Sequence, residues 1–107
     1  MPYQSRRGKA TLTASGKTIL DQMSVALLKL KDSKVEVIGH TDNAGSRAGN
    51  LSLSQARADA VKAYVASRGV APDAIAVSGE GPDRPVADNR TADRRARNRR
   101  IEFRVLQ

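Results

Sequence analysis

VEVIGHTDNAGSRAGNLSLSQARADAVKAYV, residues 35–65, is the stretch that decides the fold. Val35-Glu-Val-Ile38 is a short, mostly β-branched run ended by Gly39, the composition of a strand. A polar segment from His40 to about Ser46 follows. Leu53, Ala56, Ala60, Val61, Tyr64 and Val65 then recur at three- and four-residue spacing, which predicts an amphipathic helix. Its start has two candidates. Ser46 could cap it, or Ser52 could, with Gln55 completing a capping box. Gly69 is its natural stop, Pro72-Asp73 a turn, and Ala74–Val77 a second strand. A strand–helix–strand unit of this length is expected to be a right-handed parallel crossover.

Working outward, Ile19, Leu20, Met23, Leu27 and Leu30 form an earlier helical stripe, with Thr13 as N-cap and Asp32-Ser33 closing it. Lys29, Lys31 and Lys34 cluster at its C-terminal end, where cations suit the helix dipole. Downstream, Gly79 to Pro85 reads as a loop, and Thr91 opens a short helix within the polar residues 88–98. Ile101, Phe103 and Val105 alternate with Glu102, Arg104 and Leu106 as a last half-buried strand. Residues 3–11 show no strand alternation, so the first strand is left open. The expectation is an α/β protein, a two-layer sandwich of order β-α-β-α-β-β with a mixed sheet.

The chain has 107 residues, the size of one domain, residues 1–107. Aromatics are only 3%, so Ala, Val, Ile and Leu must build the core. There is no cysteine, which excludes disulfides and thiolate chemistry. No apolar run approaches the ~18 residues of a membrane-spanning helix. The net charge of +8 is uneven: residues 90–104 hold seven arginines against Asp93 and Glu102. That segment supplies an alternative function, a basic nucleic-acid-binding domain using Arg90 to Arg104. No aromatic platform, zinc spacing or helix-turn-helix pattern accompanies it.

The chemistry concentrates around Asp42 and Arg57. Arg57 lies four residues after Leu53 and four before Val61, on a face turned toward the sheet. A shielded guanidinium needs an anion. Asp42 directly follows the first clear strand, at the carboxyl end where α/β proteins place ligands. Two readings stand. Asp42 and Arg57 salt-bridge each other, or they stand apart and bind a zwitterion. His40, the chain's single histidine, has no cysteine or second histidine to complete a metal site, and no nucleophile elbow accompanies it. No catalytic residue, metal or cofactor is expected. A hydrolase built on His40 and Asp42 is a third, weaker reading. Asn98-Arg99-Arg100 could be a phosphate clamp, a solvated charge run or a further cation for the same crevice.

The run Gly39-His-Thr-Asp42, Gly45, Asn50 and Leu53-Ser54-x-x-Arg57-Ala58 resembles the signature of OmpA-like peptidoglycan-binding domains. The match continues through Val61, Tyr64, Gly69-Val70, Gly79-Glu-Gly, Pro85-Val-Ala87, Asn89-x-Thr91, Arg95-Ala96 and Asn98-Arg99-Arg100, roughly residues 12 to 105. The resemblance implies a β-α-β-α-β-β sandwich and noncovalent binding of peptidoglycan through the diaminopimelate of its stem peptide, without enzymatic activity. Asp42 would grip an ammonium or main-chain nitrogen and Arg57 a carboxylate. Thr41 and Asn50 would line the pocket, and Arg99 would add a cation. It implies anchoring of an envelope protein in the periplasm of a Gram-negative bacterium, with any membrane attachment outside this chain. The expectation is therefore a domain excised from a longer protein, without nucleic acid as partner and with a homodimer left open. Two departures stand out: residues 1–11 diverge from the family's first strand, and Arg94 replaces a usual glycine, which predicts a reshaped or helical turn.

Overall fold

A computed structural model of the chain describes residues 3–4, 14–29 and 33–106. The expected Thr13 cap, Leu30, Lys31 and most of the divergent N-terminal segment lie outside the described residues. In chain order the elements are β1 (Tyr3–Gln4), α1 (Ala14–Leu28), β2 (Lys34–His40), α2 (Arg47–Ser67), β3 (Ile75–Gly81), α3 (Ala92–Asn98) and β4 (Arg100–Leu106). Pro72–Ala74 form a single 3-10 turn before β3. The sheet order is β1-β4-β2-β3. β2 and β3 are parallel, β4 is antiparallel to β2, and β1 is antiparallel to β4. This is the expected two-layer α/β sandwich with a mixed sheet.

Strand alternation sorts the residues. Val35 and Val37 of β2, Ile75 of β3 and Ile101 of β4 join Leu20 of α1 and Ala58, Val61 and Val65 of α2 in one core. Glu36, Ile38 and His40 point to the opposite face. α1 is tied to α2 by polar contacts as well. Tyr64 donates to Asp21 at 2.8 Å, and Arg68 pairs with Asp21 at 2.9 Å while stacking on the Tyr64 ring.

Several boundaries differ from the sequence reading. Ser46, not Ser52, caps α2: its hydroxyl accepts from the Gly49 amide at 3.0 Å. The buried face of α2 is Asn50, Ser54, Arg57, Ala58, Val61 and Val65, so Ala56 is exposed and three polar residues point inward. A hydrophobicity stripe misses this rotation because the inward polar positions carry no apolar signal. β2 runs through Gly39 to His40, and β3 runs through Gly79 to Gly81, where a loop was expected.

The two glycines have a steric reason. A Cβ on Gly39 would sit 2.2 Å from the Ser54 carbonyl oxygen, and one on Gly79 2.6 Å from the Gln55 nitrogen. Gly39 and Gly79 are also paired across β2 and β3. Both strands therefore extend because they need no side chain where α2 crosses them. Ser54 closes the crossing, donating to Leu51 O and accepting from the Gly81 amide, each at 2.9 Å. Gly69 ends α2 with φ +103°, a conformation that side chains resist. Arg94 lies within α3, so the turn where the family usually has glycine is helical here.

Candidate functional site

The crossing of α2 over Gly39 and Gly79 opens a pocket just beyond the carboxyl end of β2. Its volume is about 200 Å³. Thr41, Asp42, Asn50, Arg57 and Arg99 all line it, together with Ala44, Gly45 and Leu53. All five residues singled out from the sequence thus meet in one place. Three separate segments bring them there: the loop after β2, the buried face of α2, and the junction of α3 with β4.

The loop is folded by its own polar groups. Asp42 Oδ1 accepts from the Ala44 amide at 3.0 Å, and the Thr41 hydroxyl donates to Asp42 O at 2.8 Å. Asn50, in the first turns of α2, donates to Ala44 O at 2.9 Å and locks the loop to the helix. Asp42 and Arg57 are 4% and 2% exposed, so both charges are shielded from water.

The ion pair in this pocket is not the one weighed from spacing. Arg99 Nη1 donates to Asp42 Oδ2 at 2.7 Å. Arg57 lines the same pocket from the α2 side. Arg99 Nε is buried there without a hydrogen-bond partner. The pocket therefore holds one carboxylate and two guanidiniums, and it has unused donor capacity.

Asn98 explains how Arg99 is aimed, and its role was missed from sequence. Its side chain is fully buried and accepts from the amides of Val86 and Ala87 at 2.8 and 3.1 Å. Its amide nitrogen donates to Ala87 O and Asn89 Oδ1, each at 2.8 Å. Every bonding site of Asn98 is thereby used to pin the loop before α3. Only the adjacency to Arg99 could have signalled it.

The arginine-rich segment does not form one basic surface. Arg94 pairs with Asp88 at 2.7 Å, Arg95 donates to Asn89 O, and Arg99 faces the pocket. Arg100 is 5% exposed and binds Glu102 at 2.7 Å, while Arg104 approaches Glu36 at 3.3 Å. Phosphate tracking needs cations along a single face; here they are divided between two faces and the interior.

His40 points away from the pocket, onto the other face of the sheet. It is 1% exposed, and its Nε2 lies 3.3 Å from Glu102 Oε2, without the alignment of a hydrogen bond. Burial, reinforced by Arg100, holds its pKa below the ordinary 6.5, against the pull of Glu102 and Glu80. The unfolded chain therefore takes up a proton that the folded chain refuses. Stability present above pH ~6.5 is lost as the pH falls below that value. Glu102 has a lowered pKa: burial opposes the shift, and the hydrogen bond from Arg100 outweighs it. Its contribution disappears only further down, in the carboxylate range. Urea denaturation should accordingly show a fall in stability between about pH 7 and pH 5. His40→Gln should flatten that window. An unchanged fall in the variant would remove His40 as its cause. Among the described residues, no cluster of three metal-ligating side chains occurs.

A larger depression of about 640 Å³ lies at the opposite end of β2, lined mainly by Leu27, Leu28, Val35 and Val70. It contains none of the converging charges.

The OmpA family model matches residues 6–99. The chain is 40% identical over 98 residues to outer membrane protein A of Bordetella avium, covering 92% of this chain and 50% of that protein. It is 42% identical over 94 residues to the peptidoglycan-binding protein ArfA of Mycobacterium tuberculosis, covering 88% of this chain and 29% of that one. Among solved structures, the cell wall anchor of the T6SS from Pseudomonas aeruginosa superposes with a TM-score of 0.82. It is 32% identical, with 98% of this chain and 78% of that one covered. The chain spans half or less of the length of these two sequence relatives. Motif order, sheet topology and these matches agree, and the chain belongs to the OmpA family.

Proposed function

We propose that this domain is a non-enzymatic peptidoglycan-binding module of the cell envelope, and that its pocket reads the diaminopimelate of the stem peptide. The observation that carries this reading is the convergence of Asp42, Arg57 and Arg99 with Thr41 and Asn50 in one shielded pocket. The relatives support the coarser part by name: one is a peptidoglycan-binding protein and another a cell wall anchor.

The chemistry follows from the charges. A carboxylate has about four lone-pair positions, and Asp42 commits two, to Ala44 and Arg99. The others remain for a ligand ammonium. Arg57 and Arg99 together outweigh Asp42 by one positive charge, which suits a carboxylate beside that ammonium. A volume of about 200 Å³ admits the end of one amino-acid side chain. It falls below the ~300–1,000 Å³ of pockets that enclose larger ligands. The ligand is thus gripped at one zwitterionic end while its chain stays outside.

Lysine has the ammonium of diaminopimelate but not the neighbouring carboxylate. A lysine-type stem peptide satisfies Asp42 and brings no carboxylate to the guanidiniums. An amidated diaminopimelate restores only part of the charge-assisted bond. Titration with matched soluble peptides should show binding weaker by roughly 10- to 100-fold for lysine and for the amide, or ~1.4–2.8 kcal/mol. Equal affinity for all three peptides would refute the carboxylate reading, even if whole cell walls were still bound.

A further inference from the structure

On the sheet face turned away from the helices lies a second groove, of about 270 Å³. Its floor is Ile38, flanked along β2 by Glu36 and His40 on the same face. Across it run the acid–arginine contacts Glu36–Arg104 at 3.3 Å, Arg100–Glu102 at 2.7 Å and Glu80–Arg84 at 3.8 Å. His40 lines this groove while 1% exposed; its Nε2 has only the 3.3 Å approach of Glu102 Oε2, and its Nδ1 has no hydrogen-bond partner. A buried imidazole nitrogen left without a partner costs free energy unless something completes it.

We propose that this groove is a binding site for a neutral saccharide. Three carboxylates face three guanidiniums, and the groove has no formal net charge. A charged ligand would have to displace one internal ion pair and leave its partner unpaired. A hydroxyl group both donates and accepts. It can bond a carboxylate or a guanidinium without breaking either pair, and it can also satisfy His40. The imidazole is neutral near pH 7, because burial and Arg100 lower its pKa, and so it offers one donor and one acceptor. Ile38 supplies an apolar floor for the C–H face of one ring. The volume suits a single sugar ring with its neighbours running out along the sheet.

The site is separate from the charged pocket but shares its backbone. His40 and Asp42 are two residues apart, and Arg99 and Arg100 are adjacent, each pair divided between the two cavities. The two cavities thus flank the carboxyl end of β2 on opposite sides of the sheet, and a polymer bearing both sugar and peptide would reach both by passing round that end. The saccharide could be the glycan of such a polymer or a free oligosaccharide.

The test is an amide-shift titration of the protein with two peptide-free probes, tetra-N-acetylchitotetraose and maltotetraose. Shifts should gather on Ile38, His40, Glu80 and Glu102 and spare Asn50 and Arg57 on α2. His40→Phe should weaken binding by about five- to tenfold. Glu80→Ala, at the open rim, should weaken it by a similar factor and keeps the test valid if the buried variant fails to fold. Preference for the acetylated probe assigns the site to an amino-sugar glycan, and equal binding assigns it to hydroxyl-rich sugars in general. Absence of shifts with both probes, shifts confined to the charged pocket, or Glu80→Ala binding like the parent would overturn the proposal. Because neither probe carries a peptide, these outcomes are independent of the diaminopimelate reading.

Discussion

Arg57→Ala is expected to abolish retention on purified sacculi. The residue is 2% exposed and lines the pocket, so its loss deletes a desolvated cation that the ligand carboxylate would meet. Truncating one partner of such a pair costs ~2–5 kcal/mol, roughly 30-fold to several-thousand-fold in Kd. Arg57→Lys keeps the charge but loses the planar fork, and it should recover only part of the affinity. Circular dichroism and a melting curve taken beside the sedimentation assay separate binding from folding. Retention of Arg57→Ala at the parent's level would show that the pocket is not where the wall is held. Asp42→Ala should cost stability as well as binding. It strands Arg99, which is paired with Asp42 at 2.7 Å and mostly buried. Breaking a buried pair from one side costs about 3–5 kcal/mol of folding free energy.

The largest effect on folding is expected at Gly39. Its missing Cβ is the space in which the Ser54 carbonyl of α2 sits, at 2.2 Å from where that atom would be. The obstacle is backbone, so no side chain can rotate away. Gly39→Ala must lift the middle of α2 from β2. The cost should reach or exceed the ~1–3 kcal/mol of ordinary overpacking, lowering the melting temperature by roughly 4–8 °C per kcal/mol. Gly79→Ala should act in the same direction, since its Cβ would meet Gln55 N at 2.6 Å. The same lift moves Asn50 and Arg57, so sacculus binding should fall together with stability. A Gly39→Ala protein that melts like the parent would refute the close crossing of α2 over the strands.

The elements that could be read in advance are those set by local periodicity. β2, α2 and β4 announce themselves through alternation or three- and four-residue spacing, and Ser46, Gly69 and Thr91 carry the cap and stop signals the structure uses. The parallel pairing of β2 with β3 follows from a helical connection between two short strands. Spacing alone pointed Asp42 and Arg57 at one crevice, and the family resemblance added Thr41, Asn50 and Arg99, which line the same pocket. The extension of β2 and β3 through glycines was not legible. Glycine reads as a stop, and its permissive use here depends on a helix that arrives from another part of the chain.

Composition, one domain's length, the order of strands and helices, and the inward face of Arg57 were determined by the sequence alone, because each depends on neighbours within a turn or two of the chain. The partner of Asp42 was decided only in three dimensions. Arg57 is 15 positions from Asp42, yet the ion pair goes to Arg99, which is 57 positions away. Asn98 pins the loop before α3 and thereby sets where Arg99 emerges. The separation of His40 from Asp42 onto opposite sides of the sheet was likewise a tertiary outcome. Two residues apart within a strand they would share a face, but β2 ends at His40, and the loop that follows carries Asp42 round to the side where α2 packs.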